Sequence, residues 1–291
     1  MRAIIDETAW QDVLRAALEE DLGDAGDVSS AGLFGPDHGS VFRLIAKDDG
    51  VLCGLPVFSA TFAAVDPDVA VEPAFGDGDR LSRGTVVARV RGRTASILAA
   101  ERTALNFVSQ LSAVATKTRR FVDALAARAA GLVVRPPEIL DTRKTVPGMR
   151  RLQKYAVAVG GGRNHRMGLH DMIMLKDNHV DAAGGIAPAV AASRAAWGRR
   201  FRLEVETRTL DEVAQALEAG ADRIMLDNMD DRTVREAVRL VAGRAETEAS
   251  GNMTLERLLG LADSGLDFVS FGELTHSVNV FDFSLKAERA R

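Results

Sequence analysis

Charged or small residues stand at the carboxyl ends of several short apolar segments in this 291-residue chain. The positions are Lys144, Lys176, Glu206, Asp227, Ser250 and Gly272. In α/β barrels the carboxyl ends of the strands surround one active site, so these residues are predicted to lie together. Lysines there would bind anions, and carboxylates would bind magnesium, ribose hydroxyls or a developing positive charge. Simple ion pairing between the two sets is the alternative.

The segment from Asp141 to His179 concentrates positive charge. Its eight basic residues are Arg143, Lys144, Arg150, Arg151, Lys154, Arg163, Arg166 and Lys176, against three aspartates. Three of the five histidines of the chain also fall in this segment. Focused positive charge attracts phosphate or carboxylate ligands, so the segment is predicted to line a cleft for a polyanion. A solvated basic surface is the other interpretation.

Individual residue types suggest different anions. Arg143 suits a carboxylate, which it can bind through two parallel hydrogen bonds, whereas Lys144 suits a phosphate as a point charge. Lys176 ends a buried segment and would bind an anion, form a Schiff base, or simply extend its stem along the strand end. Glu204 faces the same way as Glu206 by strand alternation, so the pattern does not separate the two.

Two glycine-containing segments are candidate ligand loops. Three glycines, 160–162, precede His165 and Arg166, and glycine lets a backbone approach a ligand closely, although a flexible loop fits equally well. Ser250 and Gly251 precede a helix predicted to begin near Thr254. Loops after the last two barrel strands often hold phosphate, which predicts a phosphate site here, with an ordinary helix cap as the alternative. His276 would contact the same anion or cap a turn.

The elements that position these residues fall into two parts. Apolar spacing predicts an opening helix (Asp6 to Glu20), a loop (Asp21 to Ser30), strands (Val41 to Ile45, Val51 to Leu55, Val86 to Val90) and a long helix (Ser96 to Leu125) weakly broken at Ser109 to Ser112. This first part lacks regular alternation of strand and helix. It is predicted to be an α+β domain, with the boundary near residue 110.

The second part alternates strands and helices. Strand-like segments are Ile139 to Thr142, Met172 to Lys176, Arg202 to Glu206, Arg223 to Asp227, Glu246 to Ser250 and Phe268 to Gly272. The last four end 21, 23 and 22 residues apart, with helical patterns at Leu210 to Glu218, Thr233 to Val241 and Leu255 to Ala262. Repeated βα units of about 20–25 residues build a parallel sheet that can close into a barrel. Six strands predict an incomplete α/β barrel.

Composition excludes several classes of protein. Hydrophobic residues make up 46% and charged residues 27%, as in ordinary globular proteins. The net charge of −4 gives no basic field for a nucleic acid, and no apolar run is long enough for a membrane span. The single cysteine, Cys53, fits a reducing compartment. We therefore expect a cytoplasmic protein without a signal peptide, nucleic-acid partner or membrane partner.

An ordered series of motifs resembles the quinolinate phosphoribosyltransferase family over nearly the whole chain. The motifs are EEDLGDAGDVSS (19–30), AERTALNFVSQLS (100–112), DTRKTVPGMR (141–150), KYAVAVGGGRNHRMGLHD (154–171), MLKDNH (174–179), EVET (204–207), IMLDNM (224–229), EASG (248–251) and THSVNVFDFSLK (275–286). The order and spacing of the whole set are far more specific than any single motif.

The resemblance implies an enzyme of NAD biosynthesis. Enzymes of this family join quinolinate to phosphoribosyl pyrophosphate (PRPP) with magnesium, giving nicotinate mononucleotide, pyrophosphate and carbon dioxide. It implies an N-terminal α+β open-faced sandwich domain, residues 1–110 joined by the C-terminal segment 276–291, plus an incomplete, about six-strand α/β barrel at 111–275. It also implies a homodimer, or a higher assembly of it, in which Arg102 reaches the partner's active site.

The resemblance also assigns roles to residues. Quinolinate carboxylates would be held by Arg102, Arg143, His165 and Arg166. Phosphates and pyrophosphate would face Lys144 and Lys176, and the 5′-phosphate pocket would comprise Ser250, Gly251, Gly272 and His276. Ribose hydroxyls and magnesium, bound directly or through water, would be held by Glu206 and Asp227. Lys144, Lys176, Glu206 and Asp227 are thus the expected catalytic residues.

Two departures from the family pattern and three rival functions stay open. Asn252 stands where the family usually has glycine, and Ala113-Val114 stands where Gly-Ile is usual. A related phosphoribosyltransferase for another pyridine-like acceptor is the nearest rival. A Schiff-base aldolase using Lys176 and a non-catalytic binding protein are the others.

Overall fold

The computed structural model describes residues 5–288. Its helices are a short 3-10 turn (Glu7–Ala9), α1 (Gln11–Leu22), α2 (Val28–Ala31), α3 (Leu55–Val65), α4 (Thr94–Ala129), α5 (Arg150–Val159), α6 (Asp177–Ala182), α7 (Ile186–Trp197), α8 (Leu210–Glu218), α9 (Asp231–Val241), α10 (Leu255–Gly260) and α11 (Glu273–His276). Its strands are β1 (Gly39–Ala46), β2 (Gly50–Val51), β3 (Ala70–Pro73), β4 (Arg80–Leu81), β5 (Val86–Arg93), β6 (Glu138–Leu140), β7 (Ile173–Leu175), β8 (Leu203–Thr207), β9 (Arg223–Asp227), β10 (Glu246–Ser250), β11 (Phe268–Ser270) and β12 (Phe283–Ala287). Within the described part of the chain, no helix has both the length and the apolarity to cross a bilayer.

The chain folds into two compact units, the first made of residues up to 119, residues 145–161 and the end of the chain from 274. Its antiparallel sheet has the order β12-β1-β5-β3. Strand alternation sends Leu44 and Val90 into the core, where they join the buried cluster that includes Phe58 and Phe62 of α3. On the other face Arg43 lies opposite both Arg89 and Lys286. The first unit is therefore an α+β sandwich with one charged open face.

Helix α3 begins at Leu55, within the predicted strand Val51 to Leu55, so that prediction is wrong beyond Val51. The carboxylate of Asp77 accepts hydrogen bonds from the amides of Gly54 and Leu55 at 2.8 and 3.0 Å. The first amides of α3 thus find their hydrogen-bond acceptor in another turn of the chain. In an ordinary cap, a residue next to the helix start provides this acceptor. Because this acceptor lies 22 residues further along the chain than Leu55, a local pattern does not show where α3 starts.

The long helix α4 runs without interruption through the predicted weak break at Ser109 to Ser112. Ser112 lies fully buried, with its hydroxyl accepting from the Cys53 amide at 3.0 Å and donating to the Cys53 carbonyl at 3.1 Å. Ser112 therefore binds the segment before α3 instead of ending a helix. The predicted loop from Asp21 to Ser30 likewise contains the end of α1 and the start of α2, where Asp27 accepts from the Ser29 amide.

The second unit holds residues 120–144 and 162–273. Its six strands are all parallel in the order β6-β11-β10-β9-β8-β7. Helices start where the sequence supplies a cap: Thr209 accepts from the Glu212 amide before α8, and Asp230 from the Thr233 amide before α9. The predicted six-strand incomplete barrel is confirmed. The predicted segments 1–110 and 111–275 do not coincide with these spatial units, and as domains they stay a prediction.

Strand alternation produces layers of polar residues inside this sheet. Leu203, Val205 and Thr207 of β8 are buried on the face away from Glu204 and Glu206. The same period places Glu248 below Ser250 on β10, and Met225 below Asp227 on β9. The layer nearest the strand ends is open to the cleft, and the buried layer beneath it contributes Met225 and Glu248 to the cleft floor.

Candidate active site

A cleft of about 650 Å³ opens at the carboxyl ends of the six parallel strands, within the second unit. It is lined by Thr142, Arg143, Lys144, His165, Arg166, Met174, Lys176, Glu206, Met225, Asp227, Asn228, Glu248, Ser250, Gly251, Asn252 and Ser270. Nine of these are residues that the sequence predicted as site residues. Half of the eight basic residues from Asp141 to His179 also lie here, which favours the cleft interpretation over a solvated surface.

Asp141 brings the His165–Arg166 segment to the cleft. Its fully buried carboxylate accepts from the His165 amide at 2.8 Å and from the Asn164 side chain at 2.6 Å. Residue Arg163 pairs with Leu140 as an extra parallel bridge beside β6. The chain after the glycines thereby acts as a short added strand, and the side chains of His165 and Arg166 line the cleft.

The predicted approach of the glycines 160–162 to a ligand does not hold for Gly160. A Cβ atom there would lie 2.5 Å from Cβ of Thr118 and 2.7 Å from the Ala115 carbonyl oxygen, both on α4. Gly161 has φ +93°, which favours glycine. The close approach at Gly160 is thus between the end of α5 and α4, and it concerns packing within the first unit.

Lys176 and two carboxylates form the centre of the cleft. Lys176 Nζ donates to Glu206 Oε2 at 2.9 Å. Burial raises the pKa of Asp227, the charge of Glu206 raises it further, and a hydrogen bond from Asn228 with the charges of Lys176 and Lys144 opposes the rise. Two like charges and two lysines therefore act on each other here, an arrangement that a bound cation and a bound polyphosphate would both complete.

The loops after β9 and β10 are joined by side-chain amides. Asn252 Nδ2 donates to Asn228 Oδ1 at 3.0 Å, and Asn228 Nδ2 donates to Asp227 Oδ2 at 2.7 Å. Gly251, at φ +81°, lies so close that a Cβ atom would be 2.3 Å from Asn228 Oδ1. Asn252, which departs from the family pattern, thus lines the cleft and orients the carboxylate of Asp227 through Asn228.

The floor of the cleft is a buried charged cluster. His165 Nε2 lies 3.0 Å from Glu204 Oε2 and 3.3 Å from Glu248 Oε2. Arg223 Nη1 donates to Glu248 Oε2 at 3.0 Å, and its guanidinium lies 4.0 Å above the Phe268 ring. The two carboxylates have 0% exposure, so each depends on these cations.

The two carboxylates favour the protonated form of His165. Burial lowers its pKa, but hydrogen bonds and charge from Glu204 and Glu248 raise the pKa of His165 to about 9. The Arg166 amide lies 2.7 Å from Nδ1 and favours a neutral ring. A neutral ring can still donate from Nε2 to a carboxylate while Nδ1 accepts from this amide, so the cluster orients the ring in either protonation state.

Glu206 and Asp227 fit a magnesium ion by the chemistry of their donors. Magnesium prefers carboxylate oxygens and usually keeps waters and substrate phosphates as further ligands. The mutual repulsion that raises the pKa of Asp227 is the kind that a dication relieves. Among residues 5–288, three close metal-ligand atoms also occur on His165, Glu204 and Glu248.

Three predicted site residues are not among the cleft lining. Gly272 lies two residues beyond the end of β11, in the second unit. Arg102 on α4 and His276 on α11 belong to the first unit, where His276 Nδ1 lies 2.7 Å from the Ser277 hydroxyl. Their roles stay predictions.

The sequence interpretation missed several cleft residues. Glu248 lies two residues before Ser250, the end of β10, and Ser270 lies two residues before Gly272, the predicted end of its strand, so the period of two was the available signal. Met174 and Met225 carry no such signal, because apolar residues are expected in any strand. The structure distinguishes Glu204 from Glu206, because Glu204 is buried beneath the cleft floor and Glu206 lines the cleft.

A parallel α/β sheet whose strand ends hold lysines, arginines and a carboxylate pair defines an α/β-barrel enzyme for polyanionic substrates. Family profiles described as "Quinolinate phosphoribosyl transferase, N-terminal domain" and "C-terminal domain" match residues 27–112 and 114–286. The chain belongs to the quinolinate phosphoribosyltransferase family.

Named relatives agree over almost the whole length. "Quinolinate phosphoribosyltransferase [decarboxylating] 1b" of Nicotiana tabacum is 42% identical, over 95% of this chain and 81% of that protein. "Probable nicotinate-nucleotide pyrophosphorylase [carboxylating]" of Bacillus subtilis is 41% identical, over 91% and 89%. The crystal structure of NadC from Streptococcus pyogenes has a TM-score of 0.91 at 40% identity, covering 98% of this chain and 99% of that one.

Proposed function

We propose that this protein is a decarboxylating quinolinate phosphoribosyltransferase, which converts quinolinate and PRPP into nicotinate mononucleotide, pyrophosphate and carbon dioxide. Similarity over nearly the full length to relatives of that name supports this function. The observation that carries it is the composition of one cleft. Arg143, His165 and Arg166 lie there together with Lys176 and the Glu206–Asp227 pair.

The arginine and histidine side chains form the end of the cleft suited to quinolinate. Quinolinate carries two carboxylates on one pyridine ring, and arginine binds carboxylates in a fixed planar geometry. Burial lowers the pKa of Arg166, and the nearby positive charge of Arg143 lowers it further. Two cations forced together in this way are stabilised when a dianion binds between them.

The lysines and carboxylates form the end suited to PRPP. Lys144 and Lys176 would face the pyrophosphate, and Ser250 and Gly251 the 5′-phosphate, with Gly272 and His276 proposed to complete that pocket. Glu206 and Asp227 would hold the ribose hydroxyls and magnesium. When bound, magnesium would neutralise part of the pyrophosphate charge as the leaving group departs.

The reaction needs opposite charges at two places. The pyridine nitrogen attacks the anomeric carbon of ribose while the bond to pyrophosphate breaks, so positive charge develops on the ribose ring and negative charge on the leaving group. Glu206 and Asp227 would stabilise the first charge, and Lys144 and Lys176 would stabilise the second. The ring nitrogen, now cationic, stabilises the carbanion left when the 2-carboxyl group departs as carbon dioxide.

We also propose a homodimer in the cytoplasm. Arg102 belongs to the first unit and is assigned by resemblance to the partner's active site. The buried Cys53 is the single cysteine of the chain, which is typical of a reducing compartment. Plant relatives carry names that place them in chloroplasts or mitochondria, so the compartment is a property to measure for this chain.

The direct test is release of pyrophosphate and carbon dioxide from PRPP with magnesium, comparing quinolinate and nicotinate as acceptors. Release of both products with quinolinate alone is the expected result. Release of pyrophosphate with nicotinate would assign the reaction to another pyridine acceptor and leave the phosphate site as proposed. Binding of quinolinate or PRPP without any product would indicate a binding protein.

A further inference from the structure

Two fully buried carboxylates, Glu248 in the floor of the cleft and Glu204 beneath it, lie where apolar side chains ordinarily fill an α/β barrel. Glu204 on β8 and Glu248 on β10 each place Oε2 within 3.3 Å of His165 Nε2. Glu204 does not reach the cleft surface at all. Burying two carboxylates side by side is costly, and burial together with the charge of Glu248 raises the pKa of Glu204 to about 7, so the arrangement requires an explanation.

The imidazole ring is held from two directions. The two carboxylates lie against Nε2, and the Arg166 amide lies 2.7 Å from Nδ1. On the far side of the cluster, Arg223 donates to Glu248 and to Glu246, at 3.0 Å in each case. His165 is therefore fixed between the strand floor and the main chain of its neighbour, while its ring still borders the cleft.

We propose that Glu204 and Glu248 are positioning residues for quinolinate. They hold the His165 ring in a fixed orientation at the cleft floor, next to the Arg166 main chain, so that a carboxylate-binding surface exists before the substrate arrives. The benefit is preorganisation, because groups that need not reorder upon binding give tighter binding. This inference rests on the proposed function, since it concerns one of the two substrates.

The same three side chains have the spacing of a metal site, but the cluster already has its cations. Arg223 contacts the same oxygen, Oε2 of Glu248, that lies near His165. The two carboxylates are thus already accompanied by the Arg223 guanidinium and the His165 ring. A dication added here would lie directly against the guanidinium, which like-charge repulsion disfavours.

The pH dependence follows from the groups that surround His165. They are Glu204 from β8, Arg223 from β9, Glu248 from β10, Asp141 after β6, and Arg143 and Arg166 at the cleft. Removing one carboxylate lowers the pKa of His165 from its value of about 9. Quinolinate affinity should therefore decline at a lower pH in such a variant than in the wild-type enzyme.

The experiment compares the isosteric variants Glu204→Gln and Glu248→Gln with the wild-type enzyme. We expect KM for quinolinate to rise by about tenfold, with KM for PRPP within about twofold of wild type. The alkaline decline of quinolinate binding should also move to lower pH. A general loss of structure would raise both KM values and lower the melting temperature, so the split between substrates isolates positioning.

Glu246→Gln is the matched control. Glu246 lies two residues before Glu248 on the same strand and bonds Arg223, but it is partly exposed and makes no contact with His165 among the ion pairs described. The Glu246→Gln variant should leave KM for quinolinate unchanged. A second readout, the titration of His165 followed by NMR in 15N-histidine-labelled protein, does not depend on turnover.

Three results would overturn the inference. They are an unchanged quinolinate KM in both variants, a His165 titration that does not move, and stoichiometric metal in the wild-type protein that Glu204→Gln removes. Failure of the proposed function looks different, because the wild-type enzyme itself would then give no product from quinolinate and PRPP.

Discussion

The Glu206–Asp227 pair shows how single residues distribute charge in the cleft. Glu206 is bound by Lys176, and Asp227 is oriented by Asn228. In the proposed reaction both carboxylates would lie beside the ribose, where positive charge develops. Groups that are preorganised for a developing charge contribute more to catalysis than groups that bind the ground state.

Replacing this pair should therefore affect turnover more than folding. For Glu206→Ala combined with Asp227→Ala, we expect kcat to fall by about 100-fold or more, because the ribose charge loses both partners. Pyrophosphate release under saturating substrates measures the effect. Circular dichroism and the melting temperature serve as the control for folding, and unchanged turnover in a folded double variant would exclude the proposed role.

Gly251 is a second residue whose identity is set by geometry. Its φ of +81° costs an alanine about 1–2 kcal/mol, and the Cβ atom would also collide with Asn228 Oδ1. We expect Gly251→Ala to lower kcat/KM for PRPP by about tenfold or more, since small displacements of catalytic groups are costly. Steady-state kinetics with varied PRPP make the measurement.

The control variant Gly220→Ala separates the effect of backbone strain from the effect of the contact with Asn228. Gly220 has φ +83°, and a Cβ atom added there would have no neighbour within 4 Å, so alanine at this position meets the backbone strain alone. This control should lose stability but keep its kinetics. Equal kinetic losses in the two variants would show that the contact with Asn228 has no catalytic consequence.

At the scale of elements, the approach of α5 to α4 depends on Gly160. Alanine at this position would overlap Thr118 and the Ala115 carbonyl at 2.5 and 2.7 Å. Overpacking of this kind typically costs about 1–3 kcal/mol. We expect Gly160→Ala to lower the melting temperature measurably, as followed by calorimetry.

The comparison variant is Gly35→Ala, where nothing lies within 4 Å of the added Cβ atom and φ is not positive. It should melt close to the wild-type temperature. If Gly160→Ala melts there too, then α4 and α5 can separate at little cost, and the glycine serves another purpose.

At the scale of the whole molecule, the proposed homodimer makes a prediction about shared sites. Arg102 and Lys176 would then serve the same active site from different protomers. Arg102→Ala should impair quinolinate use while the dimer persists, as shown by ultracentrifugation, and Lys176→Ala should be inactive on its own. Normal turnover in Arg102→Ala would refute the shared-site assignment.

Mixing the two variants gives a sharper result. After dissociation and random reassembly of equal amounts, mixed dimers contain one site with both original residues, so about a quarter of all sites should recover. Pyrophosphate release by the mixture measures the recovery. If each site were built from one protomer, the mixture would be no more active than its components.

Much of the second unit could be predicted from sequence alone. The strands ending near Glu206, Asp227 and Ser250 were placed to within a residue, because the strand-like segments recur at regular intervals and each is followed by its own local helix cap. Nine of the sixteen cleft-lining residues were predicted, and three of these nine, Glu206, Asp227 and Ser250, are those strand ends. The family motifs, which occur in order along nearly the whole chain, made the chemical roles predicted for the cleft residues more specific.

Other elements had no sufficient local signal. Helix α3 takes its amide acceptor from Asp77, and β12 forms only by pairing with β1 at the opposite end of the chain. Of the predicted C-terminal segment 276–291, residues 289–291 lie outside the described part of the chain. Distant partners of this kind exist only after folding, so short-range patterns do not report them.

The sequence by itself determined the order of βα units, the positive charge near the cleft and the identity of the strand-end side chains. These properties depend on residue type and on periods of two and 3.6 residues, which are local. Only the tertiary structure decided that Glu204 lies under the floor while Glu206 faces the cleft, and that Glu248 and Arg223 join His165. Depth along a strand and pairing across strands depend on register and burial, which arise only when the whole sheet assembles.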